Sequence, residues 1–144
     1  MKMLILPALL VAAVALYQLA GGNPPSMAST ASQADDTAIV RAFEARADDV
    51  PVEGEGQVVK VLPDDDKGSR HQRFIVRLAS GHSILIAHNI DLAPRVSPLN
   101  EGDTVSFRGE YAWNPKGGVV HWTHHDPRGQ HRGGWIKREG QLFQ

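Results

Sequence analysis

The chain has 144 residues, 15 Lys and Arg against 16 Asp and Glu, and a formal net charge of −1, so neither a polybasic nor a polyacidic character of the whole molecule sets its partners. The length allows one compact domain after the first ~30 residues, not two. There is no cysteine, which excludes disulfide stapling and thiol chemistry.

Residues 3 to 20, MLILPALLVAAVALYQLA, follow Lys2 without a charge and match the n-region and h-region of a secretory signal. Residues 1–22 are therefore expected to be a signal peptide. Eighteen apolar residues also suffice to span a bilayer, and an uncleaved signal anchor is the alternative. The expected location is periplasmic or secreted, or else inner-membrane anchored facing the periplasm, with membrane contact only through this segment. Residues 23–34, largely small and polar with two prolines, carry no hydrophobic period and read as a flexible linker.

The folded unit is expected over residues 35–144. Asp35 to Asp49 predicts a short helix with Ile39, Val40, Phe43 and Ala47 on one face, stopped by Pro51. Five strand patterns follow, GQVVKVL, HQRFIVRL, HSILIAHNI, DTVSFRGEYAW and GGVVHWTH, separated by turn residues. Residues 91–102, DLAPRVSPLNEG, leave room between the third and fourth for one irregular helical turn.

This layout predicts an all-β fold with a small α contribution, namely a five-stranded Greek-key barrel with an N-terminal helix and a C-terminal tail. The pattern resembles that of OB domains through Gly56 and Val58 in the first strand, Phe74 to Leu78 in the second and Gly102 to Gly109 around the fourth. More narrowly, SRHQRF, HNIDLAPR and HWTHHDP resemble a family of exported bacterial proteins classed as a domain of unknown function. That resemblance brings no established activity.

Taking Ser80-Gly81 as a two-residue hairpin turn, Arg73 is expected to face His88 and Phe74 to face Ala87. Alternation then points Phe74, Val76, Leu78, Leu85 and Ala87 into the core. His71, Arg73, Ile75, Arg77, Ile84, Ile86 and His88 form a basic, apolar outer face, which the helix or the tail around Trp135 would cover unless it binds a ligand. It carries no aromatic side chain.

Seven histidines are unevenly placed, three of them in the HWTHHDP stretch from His121 to Pro127. Parallel third and fifth strands would bring His88 to the same barrel end as His124 and His125, with Arg70, His71 and the loop Asp64-Asp65-Asp66 beside them and His131 within reach. Neutral imidazoles converging with carboxylates suit a divalent transition metal, zinc foremost. His121 and His125 would lie ~13 Å apart along a strand, too far to share an ion.

Three functions follow from these placements. The first is a metal-dependent phosphodiester hydrolase: His88, His124, His125 and His131 supply metal ligands, His71 and Asp126 supply general-base or orienting groups, and Arg70, Arg73 and Arg77 bind an anionic substrate such as nucleic acid. The second is a non-enzymatic module binding an oligosaccharide or nucleic acid on the outer face. The third is a metal-binding or pH-responsive envelope protein, since imidazoles charge near pH 6.

Overall fold

The computed structural model describes residues 28–144, and side chains from Asp36 onward. The leader 1–22 and linker residues 23–27 lie outside the described residues. The fold is mainly β, with one helix, α1 (Ala28–Glu44), and seven strands: β1 (Val50–Asp65), β2 (His71–Leu78), β3 (Ser83–Asn89), β4 (Thr104–Ala112), β5 (Val119–His121), β6 (Trp135–Arg138) and β7 (Gln141–Phe143). No helix among the described residues is long and apolar enough to cross a membrane.

Helix α1 starts seven residues earlier than the sequence suggests, inside the stretch read as linker, and ends at Glu44. Pro51 does not stop it, because the chain has already turned and Pro51 lies within β1. The side chains from Asp36 follow the expected 3.6-residue period, with Ile39 and Ala42 buried against the sheet.

The strands are hydrogen-bonded in the order β1-β2-β3-β5-β4-β6-β7, and a further β1–β4 pairing bends the first five into a partial ring. β1 makes this closure by pairing with β4 along residues 50–57 and with β2 along residues 56–65, with register shifts after Val58 and Leu62 that let one long strand curve between two neighbours. β3 and β5 run parallel, as the Greek-key expectation requires. Phe74, Val76, Ile84, Ile86, Val105, Phe107, Tyr111, Val120 and Ile136 fill the interior.

The β2–β3 register differs from expectation by one residue. Arg77 pairs with Ser83, Arg73 with Ala87, Phe74 with Ile86 and Gln72 with His88. The connection is a three-residue loop, Ala79-Ser80-Gly81, with Leu78 N–H donating to the His82 carbonyl at 2.8 Å. Gly81 has φ 89°, a left-handed conformation that glycine adopts without a Cβ penalty. Because strand side chains alternate, the shift turns β3 over: Ile84, Ile86 and His88 are interior, and Leu85 and Ala87 face outward. The faces expected for β2 hold.

Residues 91–102 form turns without a helix. The tail, read as a cover, instead forms β6 and β7, extending the sheet from β4 and burying Ile136 and Phe143. This hairpin is not a neighbour of β2 and β3 in the sheet, and α1 packs on β1, meeting the β2–β3 hairpin at its loop, where Ser80 N–H donates to Asp36.

Candidate functional site

The barrel end at HWTHHDP gathers several of the expected histidines. His88 lies at the interior end of β3, and its Nδ1 is 2.7 Å from Thr123 Oγ1 while Nε2 is 2.9 Å from the Pro94 carbonyl. A carbonyl only accepts, so Nε2 carries the hydrogen and Nδ1 accepts from the threonine hydroxyl. Desolvation holds its pKa below the ordinary histidine value, and the nearby charges of His124 and His71 push the same way. His88 is thus a buried, neutral, fully hydrogen-bonded residue.

His124 is also buried, and its Nδ1 donates to the His125 carbonyl at 2.6 Å. His125 itself is exposed. His71, the first residue of β2, lies on its outer face, with Nδ1 donating to the Ser69 carbonyl at 2.8 Å. His131 reaches back to β4: Nε2 is 2.6 Å from Glu110 Oε1, and Nδ1 donates to the Arg132 carbonyl at 2.7 Å. Desolvation lowers its pKa, but the bonds to Arg132 and Glu110 outweigh that and raise it, so the surroundings favour the protonated ring beside Glu110.

Asp126 organises the loop after β5. Its carboxylate accepts backbone N–H bonds from Arg128, Gln130 and His131, at 3.0, 2.7 and 2.7 Å. The N–H groups of Arg128 and His131 foremost lower its pKa from the ordinary carboxylate value. A carboxylate so engaged is a poor general base, and it serves here as the anchor of a turn.

The expected metal set does not come together. Among the described residues, no three His, Asp or Glu side chains form a group that could hold a metal ion. Both ring nitrogens of His88 and of His131 are already engaged. The parallel β3 and β5 bring His88 to the same end as the residues after β5, but its ring points inward to Thr123 and Pro94, and side-chain direction decides ligation.

Three features at this end escaped sequence reasoning. Glu110 on β4 partners His131; the β4–β5 register, with Glu110 opposite His121, was the only signal that could have suggested it. Trp122 has φ 57°, a left-handed conformation rare for a bulky residue. Its indole lies 4.0 Å from the His131 ring and 5.2 Å from that of His124, centroid to centroid, with Nε1 buried and without a hydrogen-bond partner among the described residues.

The three arginines expected to bind substrate separate. Arg70 is tied to Asp91 through backbone N and Nε, each at 2.8 Å, which satisfies its charge. Arg73 sits on the outer face of β2 with Nε donating to the Pro63 carbonyl at 3.0 Å, and Arg77 is exposed on the same face. Arg73 faces Ala87, not His88, so it belongs to the barrel wall and not to the histidine end.

On that wall lies a groove of about 370 Å³, between β1, β2 and β3 on one side and the β4–β5 loop on the other. Lys60, Arg73 and Lys116 supply positive charge, Leu62, Ile75 and Leu85 an apolar floor, and no carboxylate lines it. Lys60 and Lys116 make no ion pair among the described residues. Asp64, whose charge interacts with Arg73, is itself paired with Arg95. Lys60 and Lys116 were absent from the sequence expectation because the first strand's register and the loop's position across the groove are tertiary facts.

No curated protein matches the chain. A family model described as protein of unknown function, DUF3465, matches residues 23–144, which takes in the whole of the barrel, the groove and the histidine end, and the chain belongs to that family.

Proposed function

We propose that the protein is an exported, non-enzymatic binding module for an acidic oligosaccharide, held on the outer face of β1, β2 and β3. The observation that carries this reading is the groove in which Lys60, Arg73 and Lys116 surround Leu62, Ile75 and Leu85 without a lining carboxylate. It lies on the wall that OB-type barrels use for oligonucleotides and oligosaccharides. Single-stranded nucleic acid is ordinarily held by aromatic platforms on which bases stack, and this groove has none. A chain of carboxylated or sulfated sugars needs cations for its charges and aliphatic surface for its C–H faces, and both are present. The hydrophobic leader supports export.

Binding of a fluorescently labelled oligogalacturonate to the full chain, followed by anisotropy at increasing salt, tests this. Affinity should fall steeply as salt rises, because the contacts are chiefly charge to charge. The double change Lys60→Glu with Arg73→Glu, both on exposed or half-exposed outer positions, should abolish binding while leaving the fold intact. Salt-insensitive or absent binding overturns the proposal, as does tighter binding of an oligodeoxythymidylate of equal charge.

A further inference from the structure

At the histidine end, sharing no lining residue with the groove, a cleft of about 510 Å³ opens between the turn after β3 and the loop after β5. Leu92, Trp122 and Pro127 form its apolar wall, and Arg128, Gln130 and His131 its polar one. Leu92 is 49% exposed, so its side chain is open to a ligand in the cleft.

The charges in this cleft are unevenly spent. Asp126 also lines it, but its two oxygens are taken by three backbone N–H groups. His131 is matched by Glu110 at 2.6 Å. Arg128 is exposed and makes no ion pair among the described residues. Arg128 is thus the cation at the opening that no described side chain pairs, beside the Asp126 carboxylate, which keeps its charge but has its lone pairs engaged, and beside an amide that can both donate and accept.

Trp122 carries two energetic costs at the same place. Its backbone holds a left-handed conformation that a non-glycine residue adopts only under strain. Its indole N–H is a buried donor that has given up water without gaining a partner among the described residues. Such costs concentrate where side-chain placement serves a ligand, and here they set an indole as a cleft wall. Its contacts with His124 and His131 fix the ring in place, so the wall is preformed.

We propose that this cleft is a second binding site, for a single acidic sugar ring. The pyranose C–H surface packs against Leu92, Trp122 and Pro127, the carboxylate pairs with Arg128, and ring hydroxyls exchange hydrogen bonds with Gln130. The volume is of the size that small-ligand sites occupy, about 300–1,000 Å³. The site is independent of the groove and stands whether or not the groove holds an oligomer.

The test is titration of galacturonic acid into the ¹⁵N-labelled full chain, following the indole N–H of Trp122, identified as the cross-peak missing in Trp122→Phe. That cross-peak should shift saturably at millimolar sugar, while those of Trp113 and Trp135 stay in place. Arg128→Ala should weaken binding about tenfold or more, the loss expected for one charge-assisted contact. The groove variant Lys60→Glu with Arg73→Glu should titrate like the wild type, so failure of the groove reading leaves this one intact. The proposal is overturned if the Trp122 signal does not move, if glucose moves it equally, if benzoate binds and galacturonate does not, or if Arg128→Ala changes nothing.

Discussion

Two histidines at one barrel end have their pKa values pushed in opposite directions by their surroundings. His88 is buried, with a carbonyl and a hydroxyl that fit its neutral tautomer; His131 lies between a carboxylate and a carbonyl, which fit only the cation as a double donor. Their linkage to stability has opposite sign. His88 has a folded pKa below its unfolded value of about 6.5, so it costs nothing at neutral pH and destabilises the fold as pH falls from there towards the folded value. His131 has a raised folded pKa, so its contribution is fully present below about pH 6.5 and is lost as pH rises through the folded value. Glu110→Gln should therefore show its largest deficit relative to wild type on the acid side, narrowing as pH rises past the folded pKa of His131. Urea midpoints measured between about pH 5.5 and 8.5 check this; a deficit that grows with pH contradicts it.

The backbone at this end is equally constrained. A Cβ on Gly134 would stand 2.1 Å from the Trp122 carbonyl oxygen and 2.4 Å from that of Arg108, so the approach of the tail to β4 and β5 requires a residue without a side chain. The Gly134 N–H donates to the His124 carbonyl at 2.8 Å, tying the tail to the histidine stretch.

At the scale of elements, the β2–β3 hairpin shows how one loop residue decides which face a ligand meets. With three residues in the loop, Leu85 joins Ile75 on the groove floor and His88 enters the interior; with two, those roles would be exchanged. The glycine that allows the loop is open to solvent, with nothing near the position of an added Cβ, so a substitution there tests conformation alone. Gly81→Ala should destabilise by about 1–2 kcal/mol through its left-handed φ, seen as a lower urea midpoint with an unchanged slope. A neutral effect would show that the loop relaxes to another geometry.

Over the whole molecule, the ring of five strands is finished by a hairpin that the five-strand pattern does not include. β6 lies on β4 with Ile136 fully buried, and Phe143 on β7 is 4% exposed. Burying each such side chain contributes about 1.5–3 kcal/mol, so the pair amounts to about 3–6 kcal/mol, a large part of the ~5–15 kcal/mol typical of a domain. A chain truncated after Gly133 should lose most of its cooperative thermal transition, read by circular dichroism. A truncated chain melting within a few degrees of the intact one would show that the hairpin is an appendage.

How far the sequence could be read depends on the range of the interactions concerned. Alternation of period two in β2 and β4 is a local consequence of strand geometry, and it located the strands, the inward side of β2 and the five-strand ring, because burying one face leaves a mark at every second residue. The parallel placement of β3 and β5 followed from that topology, and with it the meeting of His88 with the residues after β5. The side of β3 did not follow, because it hangs on the conformation of Ala79-Ser80-Gly81, where a single left-handed glycine adds a residue to the loop. Nor did the fate of the histidines, since whether an imidazole points outward as a ligand or inward to a hydroxyl depends on side-chain direction and on partners 6 to 35 residues away. By itself the sequence determined the class of fold, the strands and the set of polar groups available. Only the tertiary structure decided which of those groups satisfy one another, as His131 and Glu110 do, and which, as Lys60, Lys116 and Arg128 do, keep a charge facing solvent. Satisfaction is a matter of ångströms between residues distant in the chain, and no local pattern carries it.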